Sequence, residues 1–537
     1  MCVLKRVIFL MLTGLAGVLE LNGGQGREDD RPDLVVGIVV DRMRFDYVDR
    51  MWDMFGDDGF KRLFSGGTSF TNARYSHMVN QSASGYATIV TGSDPSVHGI
   101  IADTWYDRLR NELRNPVYDG QRAAVGGTFQ NGMRSPLSMM SGTFGDELRK
   151  AADFRSRVYS VSLNDYAAIL AGGYSANTSW WYDNSSGSWM TSTFYLDSLP
   201  SWVRVFNNSM LPETYLGRVW EPAAHWQSYR PEGTEKNTSP FRHDLRRMRR
   251  RGDDYRMLRR TPYGNTFTGD FAQNLILNEN LGKGGSTDVI MIGFAATAEI
   301  SRYYGTFSAE LQDAYIRLDL DIAHLLRFLD DHLGMSNVLV FLTSDKGAGY
   351  PEAYRQAARQ PSGIFSPGIA MTLLRSYLNV SYGEGDWVQA YNAGMVYLNH
   401  DLIERSNIPL ADIQERSARF LGQLSGVAGA VSEDVLSRNY FNSGINARLQ
   451  SGFHRARSGD LMIYLRQGWY ERSVSGEGIE LVDYDPHVPL VFYGWKFEQN
   501  KIKREVSVRD IAPTVSILLN ISRPAYSTGS PLLEVIR

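Results

Sequence analysis

The stretch Leu34-Val-Val-Gly-Ile-Val-Val-Asp41 constrains this chain more than any other. It is a nearly unbroken apolar run, rich in β-branched residues, and it ends on a carboxylate. A strand of that composition needs apolar cover on both faces, as a central strand of a parallel α/β sheet has. Ligands of open α/β sheets gather beyond the carboxyl ends of the strands, so Asp41 stands at the edge where chemistry is usually done. Further strands are predicted at Arg157 to Leu163, Asp288 to Phe294, Asn337 to Asp345 and Val488 to Tyr493. Between them, Ala309 to Leu333 carries Leu311, Tyr315, Leu318, Ile322, Leu325 and Leu329 near a 3.6-residue period, the mark of an amphipathic helix. Helices are also predicted over Asp46 to Gly67 and Val506 to Leu519, with a short one opened by Ser82. This alternation predicts an α/β fold with a mostly parallel central sheet flanked by helices.

Two stretches break the rhythm and read as inserted caps, at about 171–265 and 349–475, leaving a core of about 34–170, 266–348 and 476–537. The first is rich in aromatic residues, and Trp180, Trp181, Trp189 and Trp202 would suit either a glycan or peptide surface or a core. It also holds the run Arg242 to Arg260, with nine arginines against three aspartates. That run reads first as a solvated helix face, with docking of an anionic partner as the sharper alternative. A net charge of −3 gives no global field favouring nucleic acid or anionic membrane.

At the N-terminus, Lys5 and Arg6 precede an apolar run from Val7 to Leu21. The run is shorter than the roughly 20 residues a membrane span needs, so residues 1–26 read as a secretory signal and the protein as exported, to a periplasm or cell surface. No transmembrane segment is expected beyond it. Cys2, the single cysteine, would leave with the signal and take any disulfide or thiolate ligand with it.

Several motifs then follow in order. They are Val40-Asp-Arg-Met-Arg44, Ser82-Ala-Ser-Gly-Tyr-Ala87, Thr91-Gly-Ser-Asp-Pro-Ser-Val-His98, Thr343-Ser-Asp-Lys-Gly347 and Asp485-Pro-His-Val-Pro489. The series resembles the alkaline phosphatase superfamily, most nearly its secreted bacterial phosphate-irrepressible alkaline phosphatases and the related type I phosphodiesterases and nucleotide pyrophosphatases. The resemblance covers essentially the whole chain from Leu34 onward. It implies phosphate-ester hydrolysis with two zinc ions, which a pair of metals performs by clamping both apical oxygens of an in-line displacement.

Residue by residue, the resemblance carries over only in part. Asp41, Asp345 and His487 stand at family ligand positions. The other three ligand positions are Ala298, Arg302 and Lys346, none of which binds zinc. Glu299 adjoins Ala298 but, on a strand, would point to the opposite face. Ser82 holds the nucleophile position, although its hydroxyl reads more simply as a helix N-cap. The phosphate contacts are changed too: Asp103 would repel a dianion, Asn164 and Tyr166 replace two cations, and Tyr86 replaces a histidine.

These losses predict a non-catalytic member, a pseudophosphatase that binds or scaffolds and needs no cofactor, with Lys346 and Arg302 paired to Asp41 and Asp345 in place of the metals. The alternative is an active phosphomonoesterase or phosphodiesterase that uses Ser82 with weakly held Mg²⁺ or Ca²⁺ at Asp41 and Asp345.

Overall fold

A computed structural model describes residues 31–537, apart from 79–80, 232–238, 250–254, 476–477, 483–484 and 537. The segment read as a signal, residues 1–26, and the middle of the arginine run lie outside the described residues. Strand β1, Leu34–Val40, is fully buried and sits at the middle of an 11-stranded sheet. Further strands of this sheet are β2 (Thr68–Arg74), β3 (Val158–Ser162), β4 (Thr178–Asp183), β5 (Ser188–Ser192), β6 (Asp288–Phe294) and β7 (Val338–Thr343). On one side β1 pairs in parallel with β6, Val36 opposite Ile290, and on the other with β7, Val36 opposite Val340. The parallel run continues through β3 to β4. Beyond β7 the late strand His487–Gly494 enters antiparallel, and β2 pairs antiparallel with it.

The alternation of side chains along β1 divides the core in two. Leu34, Val36, Ile38 and Val40 pack with Phe267 and Phe271 of α4 (Tyr263–Asn278) and with Leu318, Ile322 and Leu325 of α6 (Ala309–Leu333). Val35 and Val39 pack on the opposite face with Ala83, Ala87 and Val90 of α1 (Ser82–Thr91). Phe144 and Leu148 of α2 (Phe144–Ala151), Ile169 and Leu170 of α3 (Asp165–Gly172) and Val515 of α9 (Ile511–Leu518) complete that face. Gly37 has no side chain because the Met291 sulfur and the Phe341 ring occupy the space a Cβ would need.

Several expectations are corrected. The predicted helix from Asp46 to Gly67 is broken into the short pieces Tyr47–Arg50, Trp52–Met54 and Phe60–Gly66. Phe55 is extended, and the Gly56 and Phe60 amides turn to the Asp319 carboxylate instead of continuing a helix. Strand β2, with its mixed Thr-Ser-Phe-Thr-Asn-Ala-Arg sequence, was not anticipated. The C-terminal helix starts only at Ile511, because Val506–Ser507 pairs with β2.

The first inserted stretch is not merely a cap, since it supplies β4 and β5 to the main sheet. Trp180, Trp181 and Trp189 are consequently buried core, Trp202 is half-buried against Trp180 and Phe271, and Trp189 stacks on Phe267 and Phe271 at 5.1 and 4.6 Å. The second insertion builds a separate four-stranded sheet. It has its own apolar cluster, with Leu374 and Leu378 of α7 (Pro367–Tyr382) and Ile413 of α8 (Leu410–Leu421) packed on Val396.

Candidate functional site

The carboxyl ends of β1 and β7 bring Asp41 and Asp345 together. Both are buried, and the Asp345 charge bears directly on Asp41. Burial, and then Asp345, push the Asp41 carboxyl well above the usual carboxylate range, against the opposing pull of Tyr86, Lys346 and Asn164. The Tyr86 hydroxyl donates to Asp41 Oδ1 at 2.6 Å and the Asn164 amide to Oδ2 at 3.1 Å. Gly293 on β6 leaves the room the Tyr86 hydroxyl occupies. Asp345 Oδ1 accepts the Arg42 backbone N–H at 2.6 Å, where Arg42 adopts φ 58°, while Oδ2 is buried without a hydrogen-bond partner.

Helix α1 begins against this pair. Gly85 is needed there, because any Cβ would overlap the Asp345 carbonyl oxygen. The N-cap is Gln81, with extended backbone, and Ser82 is the first helical residue, which corrects the N-cap expectation. Ser82 is buried. The helix mouth is closed by Asp103, whose Oδ1 accepts the Ala83 N–H at 2.7 Å while its own N–H donates to Gln81 Oε1 at 2.9 Å. Burial raises the Asp103 pKa, while Lys346, the Ala83 N–H and Arg302 pull it back.

The cations do not sit where the charge-replacement idea put them. Arg302 pairs with Glu299 at 2.6 Å, not with Asp41 or Asp345. Ala298 to Arg302 lie on α5 (Ala296–Tyr304), a helix and not a strand, so Glu299 and Arg302 share one helical face three residues apart. Lys346 is buried and its charge reaches Asp41 and Asp103, yet it makes no salt bridge with either. The two aspartates are instead stabilised by neutral donors: a phenol, an amide and a backbone N–H.

His487 is turned out of the cluster. Its ring stacks on Phe45 at 3.7 Å and 7°, and Nε2 lies 2.9 Å from the Thr71 carbonyl. A carbonyl accepts only, so Nε2 carries the proton and the ring's lone pair lies on Nδ1. Tyr166 faces Asp103, Asp41 and Asp345, and burial together with their charges raises its phenol well above its ordinary value.

Arg259 was not singled out by the sequence and is the main addition: its guanidinium donates to Asn164 Oδ1, tying the first insertion to the amide that holds Asp41. Elsewhere in the run, Arg242, Arg247 and Arg249 pair with Glu221, Asp244 and Glu213. That distribution fits a solvated face, except at Arg259.

Fold and site together define a class of α/β protein, one that gathers charged groups at the carboxyl edge of a parallel sheet beside a helix opened by serine. The family model for type I phosphodiesterase / nucleotide pyrophosphatase matches residues 35–487. Alkaline phosphatase PhoV of Synechococcus elongatus is 34% identical over 518 residues, covering 94% of this chain and 93% of that protein. Alkaline phosphatase PafA of Elizabethkingia meningoseptica is 34% identical over 550 residues, covering 97% and 98%. The crystal structure of wild-type PafA superposes with a TM-score of 0.88 at 31% identity, over 94% of this chain and 99% of that one. The chain belongs to the type I phosphodiesterase / nucleotide pyrophosphatase family, within the alkaline phosphatase superfamily.

The family resemblance implies a zinc pair at the carboxyl edge of the sheet. Among the described residues no group of three or more His, Cys, Asp or Glu side chains could hold a metal ion. Asp41 accepts one hydrogen bond on each oxygen, and Nε2 of His487 faces the Thr71 carbonyl.

Proposed function

We propose that this chain is an exported, non-catalytic member of its family, which holds no zinc and acts by binding or scaffolding. The observation that carries the reading is Asp103. The N-terminus of a helix attracts anions through its free N–H groups and its dipole. In α1 the Ala83 N–H is already taken by an internal carboxylate, so an oxyanion approaching Ser82 meets a like charge in place of a donor. Electrostatic stabilisation is the larger part of phosphoryl-transfer catalysis, and here it is reversed in sign at the nucleophile. Export rests on the basic and apolar order of the N-terminal residues. Among the described residues no helix is long and apolar enough to cross a membrane.

A second reading, an active phosphomonoesterase or phosphodiesterase with Ser82 as nucleophile, is favoured by Asp345. Its Oδ2 is buried and unpartnered beside Asp41, as a weak oxygen-ligated Mg²⁺ or Ca²⁺ site would leave it. Elemental analysis of the purified protein, with turnover of p-nitrophenyl phosphate, separates the two. The first reading expects substoichiometric metal and no turnover above a Ser82→Ala control. Stoichiometric metal together with turnover abolished by Ser82→Ala would establish the second.

A further inference from the structure

Away from the Asp41 cluster, a cavity of about 490 Å³ opens between the end of the core sheet and the second insertion. Its volume falls in the range of small-ligand sites. The core contributes Phe45, Arg74 and His487, and the insertion contributes Arg355, Arg448 and Arg466. Asp485 is the one carboxylate among the described lining residues, against four guanidinium groups. Arg74 and Arg448 also line an adjoining cavity of about 680 Å³, to which Arg509 adds a further cation and Glu505 a carboxylate.

The hydrogen bonding of these arginines is incomplete. Arg448 Nη2 is buried with no hydrogen-bond partner, and burial plus the neighbouring Arg74 charge lower the pKa of this guanidinium. Arg74 Nε is held by the Asn72 side chain at 2.7 Å, and the nearest Glu505 oxygen is 3.7 Å away. Arg355 Nε donates to the Tyr470 hydroxyl at 3.0 Å, while Arg466 is exposed at the rim. Two guanidinium groups that share one cavity wall, one of them with an unmet buried donor, are stabilised by an anion that accepts from both. Guanidinium forks match the paired oxygens of phosphate and carboxylate. The concave shape and the limited volume favour a small anion over a macromolecular surface.

We propose that this cavity binds a small, multiply charged oxyanion, phosphate or carboxylate in type, held by Arg74, Arg448 and Arg466. The cavity does not include Ser82 or Asp41, although His487, a family ligand position, lies in its wall. The test is isothermal titration of the full mature chain at low ionic strength with sodium tripolyphosphate and, separately, with citrate. At least one anion should bind, and more weakly as salt is added. Its affinity should fall tenfold or more in Arg448→Ala and in Arg466→Ala, and stay unchanged in Ser82→Ala. A preference for tripolyphosphate assigns a phosphate-type ligand and a preference for citrate a carboxylate-type one. Arg466 is exposed, so Arg466→Ala decides the matter if Arg448→Ala fails to fold. Absence of binding by both anions, binding undiminished in Arg466→Ala, or binding lost in Ser82→Ala would overturn the proposal.

Discussion

Replacing Tyr86 by Phe removes one oxygen from a buried site and nothing else. Tyr86 is 1% exposed, and its hydroxyl donates to Asp41 Oδ1 at 2.6 Å. A hydrogen bond to a charged acceptor contributes about 1.5–3 kcal/mol, and one to a neutral acceptor about 0.5–1.5 kcal/mol. Which figure applies depends on the proton of Asp41, whose folded-state pKa is raised well above the unfolded value. The native state therefore keeps this proton at a pH where the unfolded chain has lost it. The stability contributed by Asp41 is greatest at low pH and declines as pH rises through the ordinary carboxylate range toward the folded pKa. Tyr86 pulls that folded pKa down and so limits the decline.

Deleting the hydroxyl should accordingly do more harm at alkaline pH. With an unfolding entropy of about 2.1 cal/mol/K per residue over roughly 500 residues, each kcal/mol corresponds to about 1 °C in Tm. Tyr86→Phe should then lower Tm by about 1.5–3 °C where Asp41 is ionised and by about 0.5–1.5 °C where it is protonated. Differential scanning calorimetry across the pH range in which the protein stays folded reads the loss as it grows from the acid to the alkaline end. In an Asp41→Asn background, which cannot ionise, the loss should stay at its acid-end value throughout. A loss that falls as pH rises, or one whose growth with pH survives Asp41→Asn, would refute the coupling between the phenol and a titrating carboxyl.

Two further predictions concern the frame around the site. Gly85→Ala places a methyl on the Asp345 carbonyl oxygen, so α1 must retreat from the end of β7; the cost is about 1–3 kcal/mol, read as a lowered Tm, and an unchanged Tm would mean that the contact is not tight. Asp321, which accepts from Thr266 at 3.0 Å, has its pKa raised by burial to about 8. The native state holds this proton where the unfolded chain does not, so stability should decline between about pH 4 and pH 8, by at most about 1.4 kcal/mol per unit. Asp321→Asn should flatten that slope in urea midpoints collected from pH 5 to 8, and an identical slope would discount the shift.

The strands that were legible are those buried on both faces. Leu34–Val40, Asp288–Phe294 and Val338–Thr343 are continuous apolar runs because helices cover each side, and Ala309–Leu333 shows its period because one face packs and the other is wet. Thr68–Arg74 and Ser188–Ser192 lie further out, with polar residues among the apolar ones, and carry no comparable signal. The same logic holds at the site. Asp41, Ser82 and Asp345 were visible because each ends or begins an apolar element. Arg259 was not, because its partner Asn164 is 95 positions away in the chain and nothing local marks it. The expected salt bridges failed for a related reason. Sequence shows which charges occur, but the choice between Glu299 and Asp41 as the partner of Arg302 is made by the direction of one helical face.

The borders of the central sheet bear on how this protein behaves at high concentration. One border is the two-residue strand Ala124–Val125 and the other the three-residue strand Asn500–Ile502. Long open borders present rows of unpaired N–H and C=O groups that recruit strands from other chains, and short border strands present few. A sheet of this width thus meets solvent with little main chain on which another molecule could extend it. Removing the Ala124–Val125 strand would uncover Ser188–Ser192, turning a closed border into a template for self-association.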